Sequence, residues 1–310
     1  MILCLIPSLE MKVSAETGYD RGYDGKMAGD GKIYAHGLDV SAWQESGLNF
    51  QNFANAGYDY VILRCGTTKG KDTCFETYYA KAKAAGLDVG AYYYSYATDV
   101  NGAYADAANM ISWMGDKTFE YPIYFDYEDS SQGNIDGTNA SKICLAFMDT
   151  LRDAGYLVGL YSMASWLDQS WVTTSGIRGK YEGWVARYLN NGGHSTWDPT
   201  YSVTYGMYQY TASKYVSGEG PFDANVCYKD YPTIVRTYGF YGYAPETGHT
   251  VNFNSNGGSY VDAVFVEDGG RLTAPANPTR TGFNFVGWYC NPELTDPYDF
   301  STPVPYSFNL

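Results

Sequence analysis

Two acids lie close together in one short apolar run, Pro122-Ile-Tyr-Phe-Asp-Tyr-Glu128. In an extended strand alternate residues share a face, so Asp126 and Glu128 project to the same side as Tyr124. Crowded carboxyl groups raise each other's pKa, which lets one keep a proton near neutral pH while its partner is ionised. Acid-catalysed cleavage of a glycosidic bond needs such a pair.

Two further acids occupy matching positions at the ends of candidate strands. Asp39 ends the first candidate strand and Asp223 lies in the last. Taken alone, either would fit a turn or a helix cap. First and last strands are neighbours in a closed barrel, so we expect these acids to meet the other two at its mouth. We predict that Glu128 is the general acid and Asp126 its ionised partner, while Asp39 and Asp223 maintain the field and the hydrogen-bond geometry.

The elements that position these acids are predicted between residues 33 and 243, where short apolar runs alternate with helix-patterned segments. This order predicts an α/β fold, an irregular (β/α) TIM-like barrel, with helices reduced after Trp171. An open doubly wound sheet is the alternative, but no glycine-rich phosphate loop follows the first strand. The predicted helices are 75–85, 103–114 and 141–154. The predicted strands are 37–41, 60–65, 89–96, 122–128, 157–161, 183–187, 207–210 and 222–225.

The two ends of the chain differ from this region in their sequence pattern. Residues 249–310 alternate turn residues with short strands, which predicts a small C-terminal β-rich domain after a linker at 244–248. Residues 1–15 are apolar and resemble the tail of a secretory signal, followed by a Gly- and Asp-rich linker at 16–32. We therefore expect a secreted protein.

The composition excludes several partners. The net charge of −14 argues against nucleic acid and anionic membranes, and no stretch is long and apolar enough to span a bilayer. The 33 tyrosines suit sugar stacking, although any single one is as well explained as an ordinary strand residue. Among the six cysteines, Cys65 and Cys74 flank one short loop. They form either a disulfide or two buried free thiols.

Other chemistries lack their motifs. The histidines are His36, His194 and His249, without an H-E-x-x-H pair for a catalytic zinc, and there is no G-x-S-x-G elbow. The acid cluster could instead hold a hard cation, although the EF-type loop pattern is absent. We predict no metal site and no cofactor.

Six sequence blocks in order resemble the family 25 glycoside hydrolases, the lysozymes of the Chalaropsis type. The resemblance covers roughly residues 33–230 and implies N-acetylmuramidase activity on peptidoglycan by an irregular barrel, the general acid falling on Glu128. A chitinase-like hexosaminidase and a non-catalytic glycan-binding protein are the alternatives. The blocks are Gly37-Leu-Asp-Val-Ser-Ala-Trp-Gln44, Gly90-Ala-Tyr-Tyr-Tyr-Ser95, Ile123-Tyr-Phe-Asp-Tyr-Glu128, Gly159-Leu-Tyr-Ser162, Trp184-Val-Ala-Arg-Tyr188 and Tyr208-Gln-Tyr210.

The resemblance also implies a substrate groove and a surface module. Glu45 replaces the glycine that usually follows Gln44 in this family. The replacement removes none of the predicted catalytic acids. Residues 249–310 resemble a Listeria–Bacteroides type surface repeat of β-grasp-like character, with the match carried by Asn254-Ser-Asn-Gly-Gly258 and Gly287-Trp-Tyr289. We expect a monomer that acts on peptidoglycan glycan strands at the cell wall. The implied groove residues are Tyr94, Tyr161, Trp184, Arg187, Tyr188 and Gln209.

Overall fold

A computed structural model of the chain describes residues 19, 23, 25–44, 47–189, 199–243, 248–305 and 308–310. The chain divides into two compact units, 1–244 and 245–310. The predicted signal-like segment 1–15 and all but the last residue of the predicted linker 244–248 lie outside the described residues. Across the described residues, no helix has the length and apolar character needed to cross a membrane.

The first unit is a closed barrel, as predicted. Eight of its strands form a ring in the order β1-β2-β4-β5-β6-β7-β8-β9, and β9 pairs back to β1. A short strand, β3, pairs with β2 beside the ring. The strands are β1 Ala35–Val40, β2 Tyr60–Thr67, β3 Gly70–Lys71, β4 Asp88–Tyr94, β5 Ile123–Asp126, β6 Val158–Met163, β7 Glu182–Ala186, β8 Met207–Val216 and β9 Glu219–Cys227.

The last strand departs from a regular βα barrel, because β9 runs antiparallel to both of its neighbours. β8 and β9 form a hairpin that turns at Ser217 and Gly218, both with positive φ. A tight turn replaces the crossover helix that a parallel strand would need. The register places Asp39 of β1 directly opposite Asp223 of β9. The barrel closure therefore brings these two acids together.

The two longest helices, α3 and α4, lie before β6, and the helices that follow β6 are shorter, as predicted. α4 spans 17 residues, whereas α5 to α8 have four or five residues each. Acceptors at Asn49, Asp99, Asp136 and Asp230 cap the first turns of α1, α3, α4 and α9. The helices are α1 Phe50–Asn55, α2 Phe75–Ala84, α3 Val100–Met114, α4 Gly137–Asp153, α5 Ala164–Leu167, α6 Ser170–Thr174, α7 Ile177–Lys180, α8 Pro199–Ser202 and α9 Tyr231–Tyr238.

Strand β5 separates two cores by its alternation. Phe125 and Tyr127 face outward into the large core between the strands and the helices. Tyr124 faces inward, and its ring centroid lies 5.1 Å from that of Trp184 in the barrel interior. Lower in the interior, Tyr60 and Tyr121 stack at 4.1 Å. Aromatic side chains therefore fill the barrel interior beneath its mouth, and Asp126 and Glu128 lie above this aromatic layer.

The opposite end of the barrel is closed by a buried ionic network. Glu182, at the start of β7, is fully buried and accepts hydrogen bonds from Lys229 at 2.6 Å and from the Tyr231 hydroxyl at 2.8 Å. The Tyr23 hydroxyl also donates to Glu182. Met27 is fully buried in the core. The described part of the predicted linker 16–32 therefore packs against the barrel, in contrast to a free linker.

The second unit has a small sheet and its own core. Strands β10 Gly248–Asn252, β11 Val264–Glu267 and β12 Phe308–Asn309 form the sheet in the order β11-β10-β12. Trp288 is buried between Phe253 and Phe285, at ring-centroid distances of 4.8 and 5.2 Å. The expectation of a small β-rich C-terminal domain is thus met.

The hypothesis of a disulfide between Cys65 and Cys74 is wrong. Both residues are free thiols, and both are buried in the outer core. Burial raises the pKa of the Cys65 thiol, which makes it an inert packing residue. The alternative of two buried free thiols is what the structure shows.

Candidate active site

The mouth of the barrel contains a cavity of about 280 Å³ that brings the four predicted acids together. β1 supplies Asp39 and β9 supplies Asp223, while Asp126 ends β5 and Glu128 follows it. The other lining residues are Trp43, Arg64, Tyr92, Tyr94, Tyr96, Tyr161, Trp184 and Gln209.

Asp39 is held as an anion by its neighbours. It is 4% exposed, and its Oδ2 accepts hydrogen bonds from Gln209 Nε2 at 2.9 Å and Asn225 Nδ2 at 2.8 Å. Its carboxyl group also hydrogen-bonds that of Asp223. Burial raises the pKa of Asp39 to about 6, and these hydrogen bonds oppose the rise. The pKa of Asp223 is raised to about 8 by burial and by Asp39, so Asp223 is the proton donor of this pair.

Asp126 has a different environment from the one predicted for an ionised partner. Burial, and then the charges of Glu128 and Asp39, raise the pKa of Asp126 well above its usual range. Its Oδ1 is buried and has no hydrogen-bond partner among the described residues. The hydrogen bonds that stabilise a carboxylate thus fall on Asp39 rather than on Asp126. The Asp126 side chain lines the cavity beside Glu128.

Glu128 combines burial with access to the cavity. Burial, followed by the charges of Asp39 and Asp129, raises the pKa of Glu128 to about 7. Its neighbour Asp129 caps the short turn Ser130–Gln132 and accepts a hydrogen bond from the Tyr94 hydroxyl at 3.2 Å. A carboxyl group with this pKa carries a proton in a large fraction of molecules near neutral pH, as a general acid requires.

The crowding of these acids should reduce stability at high pH. The pKa of Asp223 lies above its ordinary value of 3.8, so its contribution to stability is complete below about pH 4 and is lost as the pH rises through 8. We expect Asp223→Asn, which retains a donor to Asp39, to raise the unfolding free energy at pH 9 by about 2 kcal/mol. At pH 4 the difference should vanish. Urea denaturation at both pH values measures it.

The control for this prediction is Asp116→Asn, which removes an exposed carboxylate after α3. It should leave the unfolding free energy unchanged at both pH values. A destabilised Asp223→Asn protein at pH 9 would contradict the raised pKa of Asp223.

The aromatic residues at the mouth form a hydrogen-bonded network around Gln209. The hydroxyls of Tyr161 and Tyr188 both donate to its Oε1, at 3.0 and 2.6 Å. Trp184 lies against Tyr161 with ring centroids 4.4 Å apart, and its Nε1 donates to Asn225. The two tyrosine hydroxyls therefore fix the orientation of the Gln209 amide, so that its Nε2 donates to Asp39.

The structure also differs from the predicted groove. Arg187 does not line the cavity formed by the described residues, since its guanidinium lies 4.3 Å from the Tyr201 ring centroid. Tyr188 is 46% exposed and reaches the site through Gln209. The site also contains five residues that the sequence patterns did not single out: Trp43, Arg64, Tyr92, Tyr96 and Asn225. Trp43 and Tyr92 lie within the quoted sequence blocks, and Asn225 follows Asp223 on the same strand face, so these three had a detectable signal.

A closed α/β barrel with a carboxyl cluster and aromatic walls at its mouth is typical of glycoside hydrolases. Residues 38–219 match the model of the glycosyl hydrolases family 25, and residues 249–310 match the Listeria-Bacteroides repeat domain. The chain therefore belongs to family 25 of the glycosyl hydrolases.

Several relatives share this similarity. Lysozyme M1 of Streptomyces globisporus is 28% identical over 225 residues, covering 68% of this chain and 74% of that protein. The solved autolysin LytC of Streptococcus pneumoniae is 26% identical with a TM-score of 0.53, covering 63% of this chain and 46% of that chain. The catalytic domain of endolysin ply40 from Listeria monocytogenes bacteriophage P40 is similar in fold, with 22% identity, a TM-score of 0.54 and coverage of 67% and 98%.

Two curated proteins of Evansella cellulosilytica are 46% identical to this chain over 54 residues, 17% of its length. The chain spans 8% and 6% of their lengths.

Proposed function

We propose that this protein is a lysozyme that cleaves the β-1,4 bond between N-acetylmuramic acid and N-acetylglucosamine in peptidoglycan. The observation that carries the proposal is the convergence of Asp39, Asp126, Glu128 and Asp223 around one cavity at the barrel mouth. Membership of family 25 and the similarity to a lysozyme support it. A structure of the related autolysin LytC contains a synthetic peptidoglycan ligand, which supports glycan strands as the partner.

In the proposed mechanism, Glu128 donates its proton to the glycosidic oxygen, because its raised pKa keeps it protonated near neutral pH. The sugar then develops positive charge, which the carboxylate of Asp39 stabilises from a position fixed by two amide donors. Water adds to the anomeric carbon and gives up a proton, which completes the hydrolysis and restores the protonated state of the carboxyl cluster. Asp126 lines the same cavity, and the charge of Glu128 helps to raise the pKa of Asp126. Asp223 keeps Asp39 oriented.

The sugar-binding part of the groove is proposed to include Tyr94, Tyr161, Trp184 and Gln209, with Tyr188 acting at its edge. Indole and phenol rings match the apolar faces of pyranose rings. The polar groups of these rings and the amide of Gln209 can form hydrogen bonds with sugar hydroxyls. We also propose a groove role for Arg187, whose guanidinium lies over the ring of Tyr201. We further propose that the protein is secreted, acts at the cell wall as a monomer and lyses bacteria.

The activity should have an optimum between about pH 6 and 7. Glu128, with a pKa raised to about 7, loses its proton above that value, so the rate falls as the pH rises. Asp39, with a pKa of about 6, becomes protonated below that value, so the rate also falls as the pH drops. The initial rate of wall clearing from pH 4 to 9 measures this profile. A rate that keeps rising to pH 9 would contradict a protonated Glu128.

The proposed function is tested by incubating the protein with purified peptidoglycan and measuring new reducing ends. A lysozyme releases them in proportion to enzyme and time. Saturable binding to the wall without any new reducing ends would favour a non-catalytic glycan-binding protein instead.

A further inference from the structure

A second cavity lies on the outer side of β5, away from the carboxyl cluster. Tyr127 is the residue between Asp126 and Glu128, and neighbouring residues of an extended segment project to opposite sides. Its side chain therefore points out of the barrel, into a cavity of about 360 Å³ between the segment that follows β5 and the short helices that follow β6. This volume lies in the usual range of small-molecule sites.

The Tyr127 hydroxyl lacks a hydrogen-bond partner among the described residues. Tyr127 is 1% exposed, and its hydroxyl is buried. A buried hydroxyl without a partner destabilises the folded protein. A ligand group that accepts a hydrogen bond inside the cavity would remove this destabilisation.

The walls of the cavity are aromatic and uncharged. The half-buried rings of Trp166 and Trp171 approach the Tyr127 ring edge-on, with centroids 5.6 and 6.4 Å away. Gln169 adds an amide, and no charged side chain lines the cavity among the described residues. Indole faces and neutral polar groups suit a sugar ring, whereas a phosphate or carboxylate would have no counter-charge here.

The cavity is held in shape without a ligand. The side chain of Gln132 donates to the Ser95 and Ala97 carbonyl oxygens at 3.1 and 3.0 Å and accepts from the Asp129 backbone at 3.0 Å. On the far wall, a Cβ at Gly137 would lie 2.8 Å from Trp171, so the indole packs there because the residue is glycine. Preformed walls reduce the entropy lost on binding.

We propose that this cavity is a second glycan-binding site that accepts one uncharged N-acetylhexosamine unit. The acetamido carbonyl accepts the hydrogen bond of the Tyr127 hydroxyl, and its methyl group and the sugar ring contact Trp166 and Trp171. The choice of polymer rests on the proposed function, but the site is separate from the carboxyl cluster. It would hold glycan on the outside of β5 while another unit occupies the barrel mouth.

The direct test is a crystal of the full chain soaked with N-acetylglucosamine, accompanied by calorimetric titration of the same sugar. We expect density for the sugar beside Tyr127. We also expect Tyr127→Phe, which removes only the hydroxyl, to weaken binding at this site about tenfold. Gly133→Leu fills the cavity instead, since Gly133 has an ordinary φ of −64° and its Cβ would lie 3.8 Å from Trp166. That variant should abolish binding at this site.

Two control variants carry the same changes elsewhere. Tyr215→Phe alters an exposed tyrosine, and Gly179→Leu alters an exposed glycine with open space around it. Both should bind as the parent does. Ordered water alone in the cavity, a soaked stem peptide in place of the sugar, or unchanged binding in both cavity variants would overturn the proposal. Sugar in the cavity of a protein that releases no reducing ends would overturn the proposed function and leave this site intact.

Discussion

Glu128→Gln is expected to lower the rate of peptidoglycan cleavage by about 10³-fold, because the amide cannot donate the proton that the leaving oxygen needs. The substitution keeps the shape of the side chain and removes an acid whose pKa is raised by burial. The protein should therefore stay folded, with an unfolding temperature equal to or above that of the parent. Release of reducing ends and thermal unfolding, measured on the same preparation, test both parts.

A matched control for this experiment is Glu267→Gln, an exposed glutamate in the C-terminal unit. It should retain the parent rate. A Glu128→Gln protein with more than a tenth of that rate would show that another group supplies the proton.

Lys229→Met is expected to destabilise the barrel by about 3–5 kcal/mol, the usual effect of leaving a buried charge without its partner. Glu182 is fully buried, and Lys229 Nζ lies 2.6 Å from its Oε2. Among the described residues, the donors that remain to the carboxylate without the lysine are hydroxyls, including that of Tyr231. The free energy of unfolding from urea denaturation at pH 7 measures the loss.

The double variant Glu182→Gln with Lys229→Met separates charge from packing. The glutamine carbonyl oxygen accepts from one tyrosine hydroxyl and its NH2 group donates to the oxygen of the other. Most of the lost stability should therefore return. Lys142→Met, on the exposed side of α4, is the matched single control and should change stability little. A Lys229→Met protein as stable as the parent would contradict the role of this network.

The parts of the site that the sequence predicts follow from local periodicity and from closure of the barrel. Alternation along β5 places Asp126 and Glu128 on the inner face, and it needs only the two-residue repeat of a strand. The meeting of Asp39 with Asp223 needs only that the first and last strands are neighbours, which the register shows.

The parts that local patterns do not predict depend on contacts distant in sequence. The antiparallel direction of β9 follows from a tight hairpin where a crossover was expected. Glu182 and Lys229 are 47 residues apart, and neither has a distinctive local pattern. Arg187 follows β7 as the sequence blocks imply, but the ring of Tyr201 determines where its guanidinium lies.

The abundance of tyrosine has a structural explanation as well as a functional one. In the part of the chain that the structure describes, eleven of the twelve largest fully buried side chains are tyrosines, and the twelfth is Trp184. Buried phenol rings supply core volume, and several of their hydroxyls bond carboxylates, as Tyr231 does with Glu182 and Tyr93 with Asp106. Composition alone therefore overstates the number of sugar-binding tyrosines, since only a few line the mouth.

The central claim is that the four acids act on the bond that follows N-acetylmuramic acid. Mass spectrometry of the soluble products from purified peptidoglycan tests it most directly, after the new reducing ends have been reduced with borohydride. We expect fragments that end in reduced N-acetylmuramic acid. Fragments that end in reduced N-acetylglucosamine would contradict the proposed function. Peptidoglycan that the unmodified protein leaves uncleaved would also contradict it.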